Sequence, residues 1–134
     1  MIAGGVSESP MINATVLDGV TPEMRLFHEE SFGPVVAITR VANDDEAVRA
    51  ANDSDYGLSA SVFGNDNSRA FGVAARIETG ICHINSATVH DEAQMPFGGV
   101  KASGFGRFGG RYGVHEFTDV QWITVQTTRP VYPI

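Results

Sequence analysis

Gly104, Gly106 and Gly109, in the stretch KASGFGRFGG (101–110), stand at G-x-G-x-x-G spacing, the pattern with which a backbone turn can cradle phosphate. That chemistry needs a buried strand ending at the first glycine and a helix opening at the third. It also needs a carboxylate about 20 residues further on to hold a ribose hydroxyl. None of the three is present. Pro96, Gly98 and Gly99 interrupt any strand ahead of Gly104, because proline cannot donate to a ladder and glycine weakens one. The GRYGVHEF that follows is short and contains Gly113, and further on the chain reads TVQTTRP, without an acid. The glycines read as a loop and not as a nucleotide fingerprint.

Other reactive side chains are sparse. A single cysteine, Cys82, excludes an internal disulfide, and the four histidines do not pair with it or with one another at metal-ligand spacing, so no metal is expected. Cys82 and His83 are adjacent, so on a strand they would face opposite sides. Cys82 then reads as a small buried hydrophobe and not as a nucleophile. His90, Asp91 and Glu92 could do acid–base chemistry, and an exposed polar loop accounts for them equally.

With 134 residues, 43% of them hydrophobic and 19% charged, the chain can bury a core and is most simply one domain. A net charge of −7, with nine basic residues in no run, speaks against a nucleic-acid partner. No apolar stretch approaches the roughly 18–20 residues that cross a bilayer, and MIAGGVSESP lacks a basic region followed by an apolar one. A cytoplasmic protein without a membrane partner is the expectation.

Apolar spacing predicts an alternation of strands and helices. MINATVL (11–17) is β-prone; after it Thr21 can cap a short helix with Pro22 in first position. PVVAITRV (34–41) reads as a strand covered on both faces. Asn43 with Glu46 forms a capping-box pattern ahead of a stripe of Ala47, Val48, Ala50 and Ala51. LSASVFG (58–64) reads as a strand, and the helix after it carries Ala70, Val73, Ala74 and Ile77 on one face, with Gly80 as its stop. ICHIN (81–85) is a third. The implied class is α/β, a mainly parallel sheet with crossover helices. Ser86–Gly110 is long and without period, as functional loops are. After a brief helical signal, VQWITVQ (120–126) reads as a last strand without a partner in the chain, an edge available for pairing between subunits.

Five blocks in order, EESFGPV, ANDSDYGLSASVF, TGICHIN, MPFGGVKASGFGR and EFTDVQWITVQ, closely resemble landmarks of the aldehyde dehydrogenase superfamily. HIN followed by TVHDEAQMPFGGVKASGFGRFGG is most similar to bacterial dehydrogenases of aromatic aldehydes such as salicylaldehyde, benzaldehyde and vanillin. The resemblance implies that Glu30 hydrogen-bonds the nicotinamide ribose, a carboxylate being the natural acceptor for hydroxyls. It places Phe32 beside the nicotinamide ring and Phe97 on the wall of the substrate tunnel, with Thr88, Val89 and Met95 bordering its entrance.

In this superfamily a cysteine thiolate attacks the aldehyde, hydride passes to NAD or NADP, and a glutamate-activated water releases the acid. Both groups, and the cofactor-binding domain, lie well before E-x-F-G-P, whereas only 28 residues precede Glu29 here. The chain is therefore expected to be a C-terminal portion of such an enzyme. Residues 1–118 belong to the catalytic domain and 119–134 form an oligomerisation strand and tail. No catalytic residue is expected in it, and alone it should bind no cofactor and oxidise no aldehyde. A homo-oligomer formed through the last strand is expected, and the alternative function is a stable self-associating interaction module without catalysis.

Overall fold

The structure, a computed structural model, describes residues 3–5 and 11–133. Strand β1 (Thr15–Asp18) pairs in parallel with β2 (Val35–Ile38), Thr15 opposite Val35 and Asp18 opposite Ile38. The short helix α1 (Arg25–His28) lies in the connection. Thr21 does not cap it. The Thr21 carbonyl accepts from the Met24 amide in a preceding turn, so the helix opens only after Met24, with no side-chain cap.

Helix α2 (Asp44–Asn52) begins where its cap predicts: Asn43 Oδ1 accepts from the Glu46 amide at 3.0 Å. The Glu46 carboxylate reaches back one residue beyond the usual capping box, to the Ala42 amide at 2.7 Å. Asp44, Asp45 and Glu46 in the first turn complement the positive end of the helix dipole. Strands β3 (Tyr56–Gly57) and β4 (Ser59–Val62) follow. Helix α3 (Asn67–Ala74) is capped by Asp66, whose Oδ1 accepts from the Ser68 and Arg69 amides. Strand β5 (Ile81–Ile84) returns parallel to β4 with Ser59 opposite Ile81, so β4, α3 and β5 make a β-α-β unit. Strand β6 (Val100–Lys101) pairs antiparallel with β3, and α4 (Gly110–Glu116) is the last element.

The α/β alternation and the predominance of parallel pairing match the sequence. The expected single sheet does not form: the strands make three separate pairs, β1–β2, β3–β6 and β4–β5. Strand β2 is not covered on both faces either, since Val36 and Ile38 keep 54% and 38% of their surface exposed. Residues 120–126 form no strand, because extended backbone becomes one only when a ladder partner takes up its amides and carbonyls. The buried hydrophobic residues among those described are only Val20, Val48 and Ala70. The chain exposes 10673 Å², against about 6,800 Å² for a compact monomer of 14.3 kDa.

Gly80 was expected to stop α3, but that helix ends earlier, at Ala74, with Ala75 as its cap. Gly80 is needed for a different reason. A Cβ there would overlap the Gly98 carbonyl oxygen, so the absence of a side chain lets the start of β5 cross the backbone of the 98–99 segment. Gly80→Ala is expected to lower the thermal unfolding midpoint by an amount equivalent to about 1–3 kcal/mol, the usual range for overpacking; a circular-dichroism melt of the two chains checks it.

Candidate functional site

The long loop between β5 and α4 is fixed first at its origin. Asn85, in the left-handed region at φ 56°, receives the Gly64 amide on Oδ1 (2.8 Å) and donates from Nδ2 to the Gly64 carbonyl (2.9 Å). This clamps the ends of β4 and β5 together. Two hydroxyls of β4 then hold the next residues down: Ser61 Oγ donates to the Ser86 carbonyl and Ser59 Oγ to the Thr88 carbonyl.

Further along, Phe97 and Phe108 exchange two backbone hydrogen bonds of 2.7 Å, which folds the glycine-rich stretch back on itself. Gly109, at φ 105°, sits so close to the Met95 carbonyl that any side chain there would clash. Within the G-x-G-x-x-G stretch, the segment around Gly106 meets a carboxylate of its own chain. The Arg107 amide donates to Glu116 Oε1 at 3.0 Å, and a Cβ on Gly106 would lie 2.6 Å from Glu116 Oε2. One amide of the stretch, that of Arg107, is thus turned to a side chain of α4.

Between this loop and β5 lies an open pocket of about 380 Å³. One wall is Gly80, Ile81, Cys82 and His83; the other is His90–Glu92 and Met95–Phe97. Neighbouring strand residues face opposite sides, yet Cys82 and His83 both reach the pocket because it runs along the edge of β5 that β4 leaves open. Ile81, Met95, Pro96 and Phe97 give it flat, apolar surfaces suited to a planar ring. The polar end is histidine. The rings of His83 and His90 stand edge to face at 5.7 Å, and His90 Nε2 is 3.4 Å from Glu92 Oε1. His83 Nε2 is buried without a hydrogen-bond partner among the described residues.

Burial pushes the Cys82 thiol above its ordinary pKa, and nothing nearby offsets that. It stays protonated at neutral pH and is a poor nucleophile, as its place in ICHIN implied.

Of the residues named from the sequence, Met95 and Phe97 come together in this pocket. Thr88 and Val89 lie on the same loop but outside its lining, and Val89 is 88% exposed. Glu30 lines a different depression, with Phe27, Ala60, Thr79 and Ser103. Phe32 is 96% exposed to solvent. The adjacency of His83 and His90 was not legible in advance, because only the fold of the loop brings residues of β5 and the 86–95 segment together. Lys101 was also passed over, and its one signal was its place in a glycine-rich stretch that must hold a fixed shape.

A family model described as aldehyde dehydrogenase family matches residues 1–123. Vanillin dehydrogenase of Pseudomonas fluorescens is 51% identical over 134 residues, all of this chain and 28% of that protein. Among solved structures, salicylaldehyde dehydrogenase from Pseudomonas putida G7, complexed with salicylaldehyde, superposes with a TM-score of 0.91 at 46% identity, over 99% of this chain and 28% of that one. Mycobacterium tuberculosis aldehyde dehydrogenase complexed with NAD+ superposes with a TM-score of 0.85 at 35% identity, over 97% and 28%. The chain thus spans little more than a quarter of the length of these relatives. Family match and structural superposition agree, and the chain belongs to the aldehyde dehydrogenase family.

Proposed function

We propose that this chain supplies one side of the active-site cleft of an NAD(P)-dependent dehydrogenase of aromatic aldehydes, and that alone it does not turn over. The supporting observation is the pocket on the open edge of β5, where Met95 and Phe97 offer flat apolar walls in a chain closely similar to vanillin and salicylaldehyde dehydrogenases. Phe97 would stack against the substrate ring, with Met95, Thr88 and Val89 bordering the way in. Residues 1–118 act as catalytic-domain surface and 119–134 as the oligomerisation strand. Exposed Val120, Trp122, Ile123 and Val125 favour a second reading, in which this segment pairs with another copy and the chain is a self-associating module.

The residues assigned to the cofactor fit it. Glu30 is exposed, lines an open depression and makes no ion pair among the described residues, so its carboxylate can accept hydrogen bonds from two ribose hydroxyls. The bare ring of Phe32 offers a flat face to a nicotinamide. When bound, the dinucleotide would accept hydride from the substrate. Within this chain Glu30 orients, Phe32 restricts the ring, and the loop excludes water from one side. No thiolate is supplied at the pocket, since Cys82 remains a thiol.

Grafting tests the assignment. The chain should replace the matching C-terminal segment of the P. putida salicylaldehyde dehydrogenase with retention of NAD+-dependent turnover. In that chimera Glu30→Gln is expected to lower kcat/KM by about tenfold or more, the scale of one charge-assisted hydrogen bond. An inactive but folded chimera, or an E30Q form as active as its parent, would contradict the reading. The purified chain alone should yield no NADH or NADPH from salicylaldehyde, vanillin or benzaldehyde.

Cys82 offers an independent check. Its raised pKa means that the thiolate fraction at pH 7 is below that of an unstructured cysteine, so iodoacetamide should alkylate it more slowly than it alkylates the urea-unfolded chain. The difference should narrow as the pH rises past the folded-state pKa. Alkylation faster in the native chain would mark Cys82 as an activated nucleophile.

A further inference from the structure

We propose that Lys101 is the positioning residue of this pocket, its ammonium group acting as a built-in cation that ties both walls to the end of α2. Lys101 Nζ donates to the carbonyls of Asn52 (2.8 Å) and Ser54 (3.0 Å) and pairs with Glu78 Oε2 (2.8 Å). All three of its protons are therefore engaged, on oxygens from two separate segments. Two of them belong to the carbonyl end of α2, where the helix dipole favours a positive charge.

The position of these oxygens gives the contact its effect. Glu78 lies two residues before Gly80, where the β5 wall begins, and Lys101 lies four residues after Phe97, where the loop wall ends. The same junction is reinforced by Asn52, whose Oδ1 accepts from the Glu78 amide, and by the Gly57 amide, which donates to Ser103 Oγ. Arg107 Nη1 holds the Gly99 carbonyl from the other side at 2.7 Å. Without the ammonium, the Asn52 and Ser54 carbonyls and the Glu78 carboxylate would point at one another, and the two walls would be free to part.

The backbone at Lys101 supports a role beyond packing. It lies at φ 54°, in the left-handed region that side-chain-bearing residues rarely adopt, and glycine would sit there without strain. A lysine in this conformation carries a backbone cost that its side-chain contacts offset.

Lys101→Gly separates the two contributions, since it relieves the backbone while removing the ammonium. In the 134-residue chain with methyl-labelled methionine, the Met95 signal of K101G is expected to shift or broaden. The Kd for benzaldehyde, read from that signal, should rise about fivefold or more, the low end of typical coupling between sites. Millimolar n-butylammonium, added without aldehyde, should return the Met95 signal towards its original position. Lys101→Arg should rescue only in part, because a planar fork does not converge on three oxygens as an ammonium does.

An unchanged Met95 signal in K101G would overturn the proposal, as would a lowered unfolding midpoint with the Met95 signal and benzaldehyde affinity intact. The role of Lys101 rests on the proposed function only for the choice of ligand. If the parent chain binds no benzaldehyde while the Met95 signal still responds to K101G and to the amine, the anchor stands and the substrate reading of the pocket falls.

Discussion

Uncovered apolar surface is the constraint on which the structure depends. Parallel strands normally lie between layers, since their connections cross the sheet and cover its faces. Here β1–β2 and β4–β5 are parallel pairs, yet Val36, Ile38, Phe63, Phe71, Phe117 and Trp122 stand substantially exposed. The excess surface over a compact monomer of this mass is several times the roughly 800 Å² that each partner contributes to a standard interface. Apolar surface of this extent is what interaction sites expose.

What holds the piece together is largely polar and local. Asn43 and Asp66 cap two helices, Asn85 clamps the ends of β4 and β5, and Asn52 and Lys101 join the end of α2 to the loop. Ion pairs between Arg69 and Asp44 and between Arg76 and Asp45 tie α2 to α3 and its end. Pairs this exposed contribute little each. Their arrangement matters more than their strength, because it keeps β5 and the 86–110 loop in a fixed relation without a large core. The pocket is a product of that relation.

Much of the fold was legible because its signals are local. Asn43 with Glu46, the alternation around 58–85 and the C-terminal GRYGVHE each specify an element within one short stretch. The nucleotide reading of Gly104, Gly106 and Gly109 could be rejected on neighbouring residues, and in the structure the Arg107 amide between them donates to Glu116. Other features depend on what meets across the fold. Gly80 is a glycine because of Gly98, His83 matters because of His90, and Lys101 matters because of Asn52, Ser54 and Glu78. Residues 120–126 form no strand within the single chain for the same reason, since a strand is a property of two segments. Glu30 and Phe32 could be named only by resemblance; exposed as they are, nothing in their own surroundings marks them out.

The central claim, that this surface is built to receive the rest of an aldehyde dehydrogenase, is tested most directly by complementation. The P. putida salicylaldehyde dehydrogenase truncated of its matching C-terminal segment would be mixed with this chain, and sedimentation and NADH formation followed on one sample. A joint complex with turnover above that of either part is the expected result. A chain that stays apart from the truncated enzyme, cooperatively folded and monomeric by itself, would contradict it.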